Sequence, residues 1–185
     1  MAEVIATTDR LVLRRWEEGD VAAWLEHLNT PAVTEHLGGP RSLDEVTEKF
    51  AKMTRAWDED GFSFLAMALR SCGTFLGTCG IARIATDAAP EELRGAVQIG
   101  WQLRADQWGR GLATEAARAM AGIAFGLAGL DRLYSQTSLR NGASWRVMEK
   151  LGMSRRPDLD YDDPHFPAED NPTIIYALAR EDWRP

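Results

Sequence analysis

Cysteine is nearly missing from this chain: Cys72 and Cys79 are the only two in 185 residues, and they form no CxxC pair. Two thiols make neither a disulfide framework nor a metal knuckle, so no metal site is expected and a reducing, cytoplasmic setting fits best. Positive charge is also short. Lys and Arg number 21 against 28 Asp and Glu, a formal net charge of -7. Nucleic acid or an anionic membrane surface would require a cationic face that this balance does not supply, so neither is expected as a partner. No apolar run is long enough to cross a bilayer. The most apolar stretch, 112–130, is interrupted by Glu115 and Arg118, whereas a span takes ~20 apolar residues. The opening MAEVIATTDRLVLRRW has no apolar core behind a basic start, so no signal peptide is expected. Internal repeats, low-complexity tracts and linkers are absent too, which predicts one domain over 1–185 with its core at about 8–180.

What is present is periodicity. RLVLRRW alternates Leu11 and Leu13 with polar neighbours, the period of a half-buried strand. GDVAAWLEHLN then spaces Val21, Trp24, Leu25 and Leu28 at helical intervals behind Asp20, read as the cap. A second helix opens on a Ser42–Glu45 capping box in SLDEVTEKFAKMTRAWDED. FSFLAMALR and TFLGTCGIARIA flank the turn SCG as a hairpin, and AVQIGWQL supplies a further strand. A helix from about Gly111 to Leu127, the strand RLYSQTSL, the helix GASWRVMEKLG and the strand TIIYALA complete the order. Strands and helices mixed in this way predict an α/β (α+β) domain with a mixed sheet.

Gly109 and Gly111 stand where a strand hands over to a helix. The first N–H groups of a helix lack intrahelical partners and carry partial positive charge, so such a site attracts an anion. A tight strand-to-helix turn explains the same two glycines. Rival phosphate motifs fail: there is no GxxxxGK[ST], and a GxGxxG would need glycine where Thr114 stands. The alanines that follow, Ala113, Ala116, Ala117, Ala119 and Ala121, make a thin helix suited to close packing on a sheet.

Three stretches in order carry a resemblance. WGRGLATEA is similar to the pyrophosphate loop of the GNAT N-acetyltransferases, NGASWRVMEKLGM to their second signature, and TDRLVLRRWEEGD to the opening strand and helix of the RimJ/RimL-like branch. The resemblance implies a GNAT fold, with a mixed central sheet of about six to seven strands flanked by about four helices. It implies acetyl-CoA as co-substrate and transfer of acetyl to a primary amine, on a protein N-terminus or a small molecule, and it is compatible with a homodimer. Leu103 would offer main-chain bonds to the pantetheine, Gly109, Arg110, Gly111, Leu112 and Ala113 would hold the pyrophosphate, and Asn141 would touch the pantetheine arm. Ser144 would be the general acid that serves the leaving thiolate. The N–H groups near Ile99 and Gly100 would polarise the thioester carbonyl. Trp108 departs from the family loop, which usually opens there on Gln or Arg.

Each of these residues also has a plain structural reading. Gly100, inside QIGWQL, marks a bulge or a close backbone approach, or merely saves space. Asn141 suits a helix N-cap. Arg146 and Lys150 could face coenzyme phosphates or simply be solvated. Trp24 and Trp57 fall at core spacing, while Trp101 and Trp145 could line an acyl site. The loop DLDYDDPHFPAEDNP has no Lys or Arg; it is a solvated loop or a rim that draws in a cationic amine. A general base is harder to find. Gln98 stands where relatives carry Glu, and an amide cannot accept a proton at neutral pH; Glu35 and His165 are the candidates that remain. A weak base favours low-pKa amines, since an α-amine is roughly 10–20% neutral at pH 7 and a lysine amine well under about 0.1%. A catalytically weak acyl-CoA sensor of the same fold is the alternative.

Overall fold

The alternation of Leu11 and Leu13 closes into a strand, β2 (Leu11–Arg14), with both leucines fully buried. The computed structural model describes residues 2–184. Before β2 lies β1 (Val4–Thr7); after it come the helices α1 (Asp20–His27), α2 (Pro31–Thr34) and α3 (Leu43–Asp60). Then follow β3 (Phe64–Leu69), β4 (Phe75–Arg83), β5 (Val97–Leu103), α4 (Leu112–Gly126), β6 (Arg132–Ser138), α5 (Gly142–Lys150), β7 (Ser154–Arg155) and β8 (Thr173–Ala179). All eight strands share one sheet in the order β1-β2-β3-β4-β5-β6-β8-β7. Among the described residues only β5 and β6 run parallel.

The sheet therefore exceeds the six to seven strands read from the sequence, and the helices exceed four. The additions are β1, β7 and the one-turn α2, each too short to display a full period. Pairing with a neighbour, rather than local pattern, creates such elements.

Asp20 is not the cap of α1. That position belongs to Gly19, with no side-chain cap bond. Asp20 is buried and accepts from Arg14 Nη1 and Nη2 at 2.7 and 2.8 Å and from the Glu17 N–H at 2.8 Å. A guanidinium presented by β2 offers two charge-assisted bonds, more than a helix terminus can. The Ser42–Glu45 capping box forms as expected, and α3 ends on a left-handed Gly61.

Each face of the sheet carries a core. On one face α4 packs through Ala116, Ala117, Met120, Ala121 and Ala124, all at most 1% exposed, so the slim alanine face does lie on the strands. On the other, α1 and α3 pack Trp24, Leu28, Val46 and Phe50 against Ala66 and Phe75. Cys79 is fully buried, which pushes its thiol well above the ordinary range, while Cys72 is exposed. Native protein is expected to take up one equivalent of a thiol reagent, at Cys72, and a second only after denaturation; two fast equivalents would contradict this packing.

The β4–β5 ladder runs without a break from Gly77↔Leu103 to Arg83↔Val97, so Gly100 makes no bulge. It saves space instead. Gly100 pairs with Gly80, and a Cβ on Gly100 would stand 3.1 Å from Phe64 Cζ. The missing side chain makes room for the Phe64 ring. Parallel pairing of β5 with β6 shrinks to Gln98↔Tyr134, helped by a bond from Ser135 Oγ to the Ile99 carbonyl at 2.9 Å. Beyond that point the two strands part.

Candidate active site

The gap between β5 and β6 opens into a cavity of about 780 Å³. Strand geometry dictates which main-chain groups face it. Ile99 turns its carbonyl to β6, whereas the Arg104 N–H donates to Leu76 of β4. Odd positions of β5 therefore face the gap and even ones face β4. The N–H groups of Trp101 and Leu103 open into the gap, while those of Gly100 are spent on β4, so Gly100 is not an oxyanion donor. The Leu103 carbonyl already accepts from the Trp108 indole at 2.9 Å. Trp108, the residue that departs from the family loop, is thus tied to the rim of the cavity.

The glycine pair lies at the far end of the same cavity. Gly109 and Gly111 adopt left-handed φ values of 72° and 75°, and Gly111 is the N-cap of α4 without any side-chain cap bond. Glu115 is the first residue to return a helical bond, to the Gly111 carbonyl. The N–H groups of Leu112, Ala113 and Thr114 have no partner among the described residues, and all three residues line the cavity. Three unpaired donors stand at the positive end of a 15-residue helix, a geometry that attracts an anion. Its position is braced from outside. Arg10 donates to the Arg110 carbonyl at 2.9 Å and pairs with Glu115 at 2.6 Å, and Thr8 also donates to Glu115. Partial burial pushes the Glu115 carboxyl up, but the Thr8 and Arg10 bonds outweigh it and hold the group below its usual range.

On α5 the Asn141 side chain caps the helix, accepting from the Ser144 N–H at 3.2 Å. Ser144 lines the cavity, and its hydroxyl has no partner among the described residues. Arg146 stacks on Trp145, 5.2 Å from the ring centroid, and Lys150 is exposed; both also line the cavity. Trp101 lines it as expected. Trp145 does not: its indole donates to the Leu139 carbonyl and its ring packs on the α4-side core. Trp24 belongs to the α1–α3 core yet also borders the cavity, with Lys49 Nζ 4.7 Å from its ring. Burial, aided by Arg41, pushes that ammonium down to about 8.

Of the two candidate bases, Glu35 lines the cavity and His165 does not. His165 has a side chain 80% exposed and bonds Asp163 instead of lining the cavity. Glu35 is exposed at the edge. Gln98 does line the cavity, on the same face as Phe64. What the sequence reading missed is a pair: His36 Nδ1 meets Asp170 Oδ1 at 2.8 Å, and both residues line the cavity. No local signal marks it, since 134 residues separate the partners.

The acidic loop is only in part a free rim: Asp162 and Glu169 are exposed with no ion-pair partner among the described residues, and the other four carboxylates are engaged. Asp158 pairs with Arg156, Asp160 with Arg155, Asp163 with His165 and Asp170 with His36. Of these partners Arg155 ends the strand just before the loop, Arg156 follows it, His165 lies in the loop itself and His36 sits after α2. Among the described residues there is no group of three or more potential metal ligands, and no helix is long and apolar enough to cross a membrane.

Comparison with known proteins agrees with this geometry. YkkB of Bacillus subtilis is 30% identical over 155 residues, 82% of this chain and 86% of that protein. The crystal structure of an acetyltransferase from Agrobacterium tumefaciens superposes with a TM-score of 0.78 at 28% identity, covering 94% of this chain and 92% of that one. RimL, a ribosomal L7/L12 alpha-N-protein acetyltransferase solved with coenzyme A, shares the fold at a TM-score of 0.74 and 16% identity, over 96% and 98% of the two chains. The acetyltransferase (GNAT) domain model matches residues 10–154, and the chain belongs to that family.

Proposed function

We propose that this N-acetyltransferase moves the acetyl group of acetyl-CoA to a primary amine, with the α-amines of peptides, as in the RimJ/RimL-like branch, ahead of other amines. One observation carries the reading. The unpaired N–H groups of Leu112, Ala113 and Thr114 and the open gap between β5 and β6 belong to a single cavity. A long ligand with an anionic middle and an extended arm fits both at once. Gly109, Arg110, Gly111, Leu112 and Ala113 would hold the pyrophosphate, and Arg110 adds a cation beside the open donors. The Leu103 N–H and Asn141 would hold the pantetheine arm, and the Trp101 N–H faces the place where the thioester carbonyl would lie. Bound there, the coenzyme supplies an activated acetyl thioester. Everything else is done by the chain: it positions both partners and moves protons.

Ser144 is the general acid of this reading. Its hydroxyl is unengaged at the start of α5, where it can donate to the leaving sulfur. Ser144→Ala is expected to lower turnover about tenfold, less than general acids often contribute because a thiolate leaves fairly readily. Coenzyme affinity should stay within twofold, and an unchanged rate would reject the role. The reading as a whole is tested by release of free thiol from acetyl-CoA across short peptides, polyamines and aminoglycosides, with the acetylated product confirmed by mass. Coenzyme binding without acceptor-dependent thiol from any amine would instead support the sensor of the same fold. Two free cysteines, neither in a disulfide, suit a reducing compartment, and we place the enzyme in the cytoplasm.

A further inference from the structure

We propose that His36, oriented by Asp170, is the general base that takes the proton from the acceptor amine. The inference rests on the N-acetyltransferase reading and answers the question that Gln98 leaves open. Asp170 Oδ1 lies 2.8 Å from His36 Nδ1, and the Asp170 side chain is only 3% exposed. A buried carboxylate accepts but does not donate, so it fixes the hydrogen of His36 on Nδ1 and leaves the Nε2 lone pair free. Burial pushes the Asp170 carboxyl up, but bonds from His36 and Ser138 and the nearby Arg140 guanidinium, 3.9 Å away, hold it below its usual range. It stays ionised and can stabilise an imidazolium.

Both members are held from outside the pair. Leu37 and Gly39 return their N–H groups to the Thr34 carbonyl, which folds the segment around His36 into a tight turn after α2. Asp170 closes a single 3-10 turn through its N–H to the Pro167 carbonyl. The His36 side chain remains 16% exposed, enough to be reached from the cavity.

Other groups along the cavity wall serve less well. Glu35 is exposed at the edge, and Asp170 is committed to His36. Tyr161 is pushed up to about 12 by burial and by Asp163, and donates to Gln136 at 2.8 Å. Arg140 cannot accept a proton. Lys49 of α3, set over the Trp24 ring of α1, is the rival that the test must separate.

In the step itself the neutral amine nitrogen bonds to the acetyl carbonyl carbon and the carbon–sulfur bond breaks. The N–H proton passes to His36 Nε2, and the electron pair leaves with sulfur. The thiolate takes a proton from Ser144, which solvent replenishes, and the imidazolium returns its proton to water.

The test follows kcat/KM against pH, using the best amine from the panel above. His36→Gln is expected to lose about a hundredfold and the acid limb of the profile, with coenzyme A affinity within twofold as the check on folding. Added imidazole should restore rate to His36→Ala. Asp170→Asn should move the acid limb to lower pH, because the imidazolium loses its anionic partner. In the coenzyme-free wild type, ¹⁵N NMR should show the hydrogen on Nδ1, a preference lost in Asp170→Asn. A His36→Gln enzyme with the wild-type rate and limb overturns the inference, as does an acid limb that vanishes in Lys49→Met. Failure of the wild type to acetylate any amine sinks the reading beneath it, and the inference with it.

Discussion

Gly111→Val should weaken coenzyme A binding at least a hundredfold while the protein stays folded. Gly111 has φ 75° at the N-cap of α4, a conformation that costs an L-residue about 1–2 kcal/mol and a β-branched one more. Valine can pay that strain or rotate the turn. Rotation swings the Leu112, Ala113 and Thr114 N–H groups away from a common focus. A hydrogen bond to a charged group is worth about 1.5–3 kcal/mol, so two misdirected donors already exceed the 2.7 kcal/mol of a hundredfold change. Space is not the issue, since the nearest atom to a Cβ at Gly111 is Arg10 Nη2 at 3.7 Å. Calorimetric titration with coenzyme A beside thermal denaturation separates the two effects. Unaltered affinity would remove the loop from the binding site.

Asp20→Ala should cost about 3 kcal/mol of stability, the low end of the range for breaking a buried ion pair by removing one partner. Asp20 is 5% exposed at its side chain and Arg14 13%, so the guanidinium left behind keeps little water. The Asp20 bonds hold Arg14 above its ordinary pKa against the opposing pull of burial. Glu17, 3.1 Å from Arg14 but half exposed, compensates in part, which is why the low end applies. The Glu17 N–H loses its acceptor as well, and the turn into α1 loosens. Urea unfolding of the two proteins measures the difference, and a loss below 1 kcal/mol would show the pair to be dispensable. Replacing both partners, as Arg14→Met with Asp20→Ala, should recover part of the loss because no unpaired charge remains.

These two residues mark how far a linear reading reaches. Gly111 was legible: a glycine at the mouth of an amphipathic helix carries its meaning in the neighbouring residues, because both the left-handed turn and the unpaired donors are properties of a few consecutive peptide units. The alternation around Leu11, the capping box at Ser42 and the alanine face of α4 were legible for the same reason. Asp20 was misread, because local rules offered it a helix cap while β2 offered it a buried guanidinium. The strands β1 and β7 escaped notice because so few residues cannot show a period.

The amino-acid sequence by itself determined the repeating elements, the glycine turn at the open mouth of α4 and the family. Tertiary structure alone decided the rest of the site. Trp108 closes on Leu103, Phe64 fills the space that Gly80 and Gly100 leave, four carboxylates of the acidic loop find partners, and His36 meets Asp170. The physical reason is range. Helix and strand patterns arise from hydrogen bonds and side-chain spacing within a few residues, whereas a contact across 134 positions depends on how distant segments are brought together, and no short stretch of sequence encodes that.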